Sequence, residues 1–232
     1  DPCLSGIDIR VHYFLERQLG LSAARNRVFT EAQKCNADWL ALLDDDVVPM
    51  DSWLEEYVRA IQSMPDVRLL YGQIWYQFPN GYSLAIERDS DSFEAIIEKP
   101  VRFGGGNLLI HESLYSVNGI RFDPRFDWCG GEDTDLRHQA VEYGVLAVPV
   151  PRAVIQETIT TRRATLLSGF HRKLDQGVAG FIMLKKYTPP LAVTVGLLAQ
   201  LPLRFIGLLG DWWRALQAYF LLLEERDQLL DT

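Results

Sequence analysis

The chain has 232 residues, enough to bury a substantial core in one large domain or two small ones. With 48% hydrophobic and 23% charged residues it has the composition of a folded globular protein, which excludes the disordered and fibrous classes. A formal charge of −8 argues against general nucleic-acid binding, which wants a basic surface.

Residues 7–14 (IDIRVHYF) alternate well enough for a strand. In GLSAARNRVFTEAQKC, Ser22 is a candidate N-cap, with Leu21, Ala24, Val28 and Ala32 at helical spacing. WLALL (39–43) is a short apolar run, as expected of a strand covered on both faces. After Asp44, Asp45 and Asp46, SWLE (52–55) reads as a capping box that opens a helix to about Met64. Residues 67–78 form the next strand candidate, and Asn80-Gly81 marks a turn. FGGGNLLI places three glycines before a short strand, where backbone must approach something closely. A short helix over 112–117 ends at Asn118-Gly119, a second runs from about Glu132 to Gly144, and VLAVPVP (145–151) is the last strand. This alternation predicts an α/β fold with a mainly parallel sheet flanked by helices. Cys3, Cys35 and Cys129 are odd in number and hold no CxxC pair, which fits a reducing compartment better than a disulfide framework or a zinc site.

Two stretches carry chemistry. Asp44–Asp46 stand at the carboxyl end of a strand, where ligands of open α/β sheets sit. Adjacent carboxylates there suit Mg2+ or Mn2+, which keeps waters and binds substrate phosphates. The competing reading is a solvated acidic turn that caps the next helix. The second stretch is WCGGEDTDL (128–136), in which Gly130 and Gly131 allow an unusual turn. Glu132 and Asp133 then fall in the first turn of a helix, whose dipole favours their ionised form. A carboxylate there can accept a proton from a hydroxyl nucleophile, or can simply cap the helix.

Taken in order, GLSAARN, LLDDDV, FGGGNLLI and FDPRFDWCGGEDTDL resemble the family 2 glycosyltransferases of GT-A (Rossmann-like) fold, over about residues 9–171. The second and fourth are similar to that family's DxD and ED motifs. The resemblance implies a metal-dependent, inverting transfer of a sugar from a nucleotide-diphosphate donor to an acceptor hydroxyl, in cell-surface glycan or polysaccharide synthesis. It implies Asp133 as general base. Arg25, Asp44 and Asp45 would lie on the donor, Asp46 and Asp44 on the metal, and Gly105, Gly106, Trp128 and Glu132 around the acceptor, a glycan or a lipid-linked glycan.

Two departures from the family pattern stand out. The strand and loop that would bind the nucleotide base, and a second strand ending in Asp, do not precede residue 9. With no initiating Met either, the sequence is expected to be a fragment that lacks one βαβ unit. Gln156 stands where a His is expected, so Arg162 and Arg163 become the candidates for the diphosphate; His171 is a weaker substitute, and His12, His111 and His138 receive no role. A strand ending in Asp-x-Asp also resembles the haloacid-dehalogenase-type phosphohydrolases, but no Lys stands in a matching place. A non-catalytic, membrane-docked relative of the fold is the other reading.

Charge divides the chain. Residues 1–157 hold 14 Lys or Arg and 25 Asp or Glu, whereas residues 158–223 hold 8 and 2. The first segment is expected to be the catalytic domain, and 158–232 an apolar helical extension. Pro202 and Arg204 interrupt the apolar run from Leu191, which argues against a clean span. Trp212, Trp213 and Tyr219 suit a membrane interface, and Arg172, Lys173, Lys185 and Lys186 suit anionic headgroups. The expected location is cytoplasmic, peripheral on the inner face of the membrane.

Overall fold

The computed structural model describes residues 10–79, 101 and 103–189. By its internal contacts the chain divides into two compact units, Asp1–Gly180 and Phe181–Thr232, the second described only to residue 189. Among the described residues five strands make one sheet: β1 (Trp39–Leu43), β2 (Val47–Pro49), β3 (Leu69–Gln77), β4 (Asn107–His111) and β5 (Ala147–Thr158). The helices are α1 (Leu21–Lys34), α2 (Trp53–Ser63), α3 (Glu112–Ser116), α4 (Glu132–Glu142) and α5 (Leu166–Tyr187).

This is the expected α/β class, with helices on both faces. Alternation along β3 and β4 sorts the core into two layers. Leu69, Leu108 and Ile110 pack with Phe29 and Ala32 of α1, Leu114 and Tyr115 of α3, and Leu136 and Ala140 of α4. Leu70 and Leu109 point the other way, onto Trp53, Tyr57 and Ala60 of α2. The pairing is less parallel than expected. Among the described residues only β3 and β5 pair in parallel, while β1–β4, β3–β4 and β2–β5 are antiparallel. An apolar run marks a strand without giving its direction, and β4 runs back between β1 and β3.

The strand order β1-β4-β3-β5-β2 sets β1 and β2 at opposite margins of the described sheet, although only three residues join them. Those residues are Asp44, Asp45 and Asp46, which link the end of β1, beside Asn107, to the start of β2, beside Glu157. One buried amide pins this end of the sheet. β3 and β5 change register after Gly72, where β5 skips from Val150 to Val154. Asn107 fills the irregularity: its Nδ2 donates to the carbonyls of Gln73 (3.0 Å) and Ala153 (2.9 Å). Its Oδ1 accepts from Trp53 Nε1 (2.8 Å) and the Tyr57 hydroxyl (2.9 Å). Gly72 is required beside it, because a Cβ there would run into Asn107 Nδ2 and the Ala153 carbonyl.

Several local expectations give way to longer-range contacts. Residues 10–14 form no strand; 7–9, Asn80-Gly81 and everything from 190 on, including Trp212, Trp213 and Tyr219, lie outside the described residues. The cap of α1 is Gly20, not Ser22. Ser52 does precede α2, but its side chain makes no cap bond; Glu55 and Glu56 pair with Arg59 instead of closing a capping box. β1 is covered on one face only: Leu42 is buried while Ala41 and Leu43 are exposed, because α2 lies over β3, β4 and β5 rather than over β1. β5 runs to Thr158, seven residues past the expected end, because the irregularity at 151–153 takes Pro151 out of the ladder.

Asn107→Ala is expected to cost about 3 kcal/mol, since it strips the side-chain partner from Trp53 Nε1 and from the Gln73 and Ala153 carbonyls, while the Tyr57 hydroxyl keeps the backbone carbonyl of residue 107. Urea unfolding would show the midpoint falling with an unchanged slope, and a loss below about 1 kcal/mol would contradict the role given to the amide.

Candidate active site

Three residues on one face of α1, at i, i+3 and i+4, grip the loop that leads into α4. Ser22 is fully buried; its amide donates to Asp127 Oδ1 (2.8 Å) and its hydroxyl to the Asp123 carbonyl (3.1 Å). Asn26 and Phe122 exchange two bonds: Asn26 Nδ2 donates to the Phe122 carbonyl, and the Phe122 amide donates to Asn26 Oδ1, both at 2.9 Å. Asp127 therefore caps α1 from a hundred residues away. Gly20, with φ at 122°, leaves the room for its carboxylate that a Cβ would fill.

The third residue is Arg25, 6% exposed. Its Nη1 donates to Glu132 Oε1 at 2.7 Å and its Nη2 to Asp44 Oδ1 at 2.9 Å. The Phe122 ring lies 5.3 Å from the guanidinium carbon. One side chain thus joins the aspartate turn to the first turn of α4. The three-glycine segment is shaped for this pair: a Cβ on Gly105 would stand 2.6 Å from Arg25 Nη1, and one on Gly106 would stand 2.5 Å from Asp44 Oδ2. Space, rather than an unusual backbone angle, is what these two glycines supply.

Gly130 and Gly131 both hold positive φ, 72° and 94°, and form the predicted sharp turn ahead of α4. A Cβ on Gly131 would press on Ala179 at 3.2 Å. Glu132, 8% exposed, follows the turn. Burial pushes its carboxyl above the ordinary value, the Asp133 charge adds to this, and Arg25 pulls it back only in part. Asp133 is half-buried; its Oδ1 accepts from the Thr134 amide (2.6 Å) and hydroxyl (3.3 Å), and Oδ2 remains for another partner. Trp128 is 93% exposed at the edge of the loop.

On the far side of the turn, Asp46 Oδ2 accepts from Arg163 Nη1 at 3.4 Å, and the same nitrogen forms an ion pair with Glu157 Oε1 at 2.7 Å. Burial pushes the Glu157 carboxyl up, Arg163 lowers it, and Asp46 and Asp44 raise it again. Gln156 is engaged away from the turn, with its Nε2 on Gln77 Oε1 (2.9 Å). Asp45, Arg162 and His171 are exposed.

Structure therefore brings Arg25, Asp44, Glu132, Gly105 and Gly106 together, and Asp46 with Arg163. Sequence reasoning missed Glu157, Asp127 and Asn26. The last two lie inside quoted motifs but act by long-range bonds, and Glu157 is the neighbour of the Gln that drew notice. His111, given no role, caps α3 through Nδ1 on the Ser113 amide. The donor set fits a hard divalent ion in kind, with oxygen ligands only and the exposed side chains of Asp44 and Asp46 on one turn. Among the described residues no group of three or more His, Cys, Asp or Glu forms a ready-made metal site, so substrate oxygens would have to complete the coordination.

The family model described as glycosyl transferase family 2 matches residues 4–114. Among solved structures, the chain is similar to the crystal structure of GalNAc-T7 with UDP, GalNAc and Mn2+: 17% identity and a TM-score of 0.44 over 63% of this chain and 32% of that one. It is also similar to a mycobacterial protein, at 15% identity and a TM-score of 0.35, over 66% of this chain and 49% of that one. The chain thus spans about a third of the first and about half of the second. No curated protein matches it.

Proposed function

We propose that the chain, whose residues 4–114 match the model of glycosyl transferase family 2, moves a sugar, with inversion, from a nucleotide-diphosphate donor to an acceptor hydroxyl. The observation that carries this reading is the Asp44–Arg25–Glu132 bridge, which holds a carboxylate turn beside a helix start that presents Asp133.

Asp133 Oδ2 takes the proton of the acceptor hydroxyl as the hydroxyl oxygen bonds to the anomeric carbon. The bond from that carbon to the diphosphate breaks on the opposite side, which inverts the centre, and the electron pair leaves with the diphosphate. A base so placed contributes about 10²–10⁴ in rate. The Thr134 amide and hydroxyl keep Asp133 aimed, and Arg25 keeps α4 in register with the donor side. Asp46 and Asp44 would hold Mg2+ or Mn2+, whose chemistry when bound is to neutralise the leaving diphosphate. Asp45, Arg162 and Arg163 stand on the same side as further donor contacts, and the exposed Trp128 offers a flat apolar face to a glycan acceptor.

The reading extends to a peripheral place on an anionic, cytoplasmic membrane face. Ala179 of α5 turns toward Gly131, while Leu167, Phe170, Leu174 and Val178 are exposed on its other side. Arg172, Lys173, Lys185 and Lys186 add positive charge along the same helix, and Cys35 and Cys129 are free thiols. Among the described residues no helix is long and apolar enough to cross a membrane.

Calorimetric titration of UDP, GDP and dTDP, each with and without Mn2+, tests the reading. The chain is expected to bind one of them with Mn2+, Asp46→Ala to bind it more than about tenfold more weakly, and Asp133→Asn to bind it like the wild type. A folded wild-type chain that binds none of the three contradicts the transferase. Sedimentation with vesicles tests the membrane claim. Binding to phosphatidylglycerol vesicles should fall with salt and with Leu174→Glu, and equal binding to neutral vesicles contradicts it.

A further inference from the structure

Beyond β5 the chain makes an anchored turn. The Ile159 amide donates to the Gln77 carbonyl at 2.7 Å, and the amides of Arg163 and Ala164 both donate to the Thr160 carbonyl, at 2.9 and 3.0 Å. Ile159 and Ala164 are buried, so the turn is held from below. It sets the Arg163 guanidinium between two carboxylates that differ in kind. Glu157 lies 2.7 Å away with its side chain 12% exposed; Asp46 lies 3.4 Å away with its side chain 55% exposed.

A close ion pair screened from water is the stronger of the two, and an exposed, longer contact contributes little. Both contacts use Nη1, and the fork has further N–H donors at Nη2 and Nε. Glu157 faces Val47 across the β2–β5 ladder, so its backbone is fixed directly beside the carboxylate turn.

We propose that Glu157 is a positioning residue for donor binding: it holds Arg163 at the rim of the Asp44–Asp46 turn, so that the guanidinium moves from Asp46 onto the donor's diphosphate without leaving the site. This rests on the reading of that turn as the diphosphate site. Glu157 touches no substrate and acts only through Arg163. Were Asp46 to serve as a ligand to Mg2+ or Mn2+, its carboxylate would no longer hold the guanidinium, and the Glu157 contact would remain as the tether. The guanidinium fork then meets phosphate oxygens in the geometry that suits it.

Wild type, Glu157→Gln, Arg163→Met and the double variant are titrated with UDP, GDP and dTDP, and with uridine, guanosine and thymidine, at fixed Mn2+. Thermal unfolding confirms that each is folded. Each single variant should weaken the bound diphosphate about tenfold, the double should be no weaker than Arg163→Met alone, and nucleoside binding should not change. Wild-type affinity in Glu157→Gln overturns the proposal, as do losses that multiply to about a hundredfold, which would give Glu157 a separate role. Should Glu157→Gln fail to fold, Glu157→Asp keeps the charge but draws the tether back, and the same weakening or its absence decides. Failure of the wild type to bind any diphosphate falls on the transferase reading itself and takes this inference with it.

Discussion

The Arg25 guanidinium lies almost out of reach of water between two carboxylates, Asp44 nineteen residues on and Glu132 a hundred and seven residues on. Withdrawing such a charge from solvent costs several kcal/mol, and only close, well-aligned partners offset it. An apolar replacement of similar volume could be as stable, so stability alone does not account for an arginine here. What it does is locate. Its two bonds fix the aspartate turn relative to the start of α4, and Ser22 and Asn26 on the same face fix the loop between. Gly105 and Gly106 are small because that pair passes close by them.

The sheet supplies the platform on which this works. The link from β1 to β2 is three residues long, and all three are aspartates. Repulsion among them is relieved by guanidinium groups at both flanks, Arg25 on Asp44 and Arg163 on Asp46. Asn107, whose amide closes the irregular join of β3 and β5, keeps the same end of the sheet rigid. A site that must place a hydroxyl within reach of an anomeric carbon tolerates little looseness in the elements that carry it.

Much of this was legible locally. Helical spacing located α1, an apolar run located β1, the letters at Ser52 marked the start of α2, and the glycine pair before Glu132 announced the turn that the structure shows. Motif order paired the aspartate turn with the start of α4, and Arg25 bridges Asp44 to Glu132 there. The failures share a cause. Ser22 carries the composition of a cap, but Asp127 does the capping from afar. The box at Ser52 has the right letters, yet Arg59 takes its glutamates. The one-sided exposure of β1 depends on where α2 lies, and the length of β5 on a register shift that no periodicity records. The motif marked Arg25 but not its partners, which are carboxylates from two other segments. Glu157 was overlooked because pairing with a residue six positions on, across a turn, leaves no spacing signature.

The claim on which all of this rests is that Arg25 couples the aspartate turn to α4. A double-mutant cycle in urea between Arg25→Met and Glu132→Gln, repeated between Arg25→Met and Asp44→Asn, measures that coupling directly. The account predicts a coupling energy of about 1–3 kcal/mol for the buried Glu132 pair and a smaller one for the more exposed Asp44 pair. Effects that simply add, within about 0.5 kcal/mol in both cycles, would contradict it.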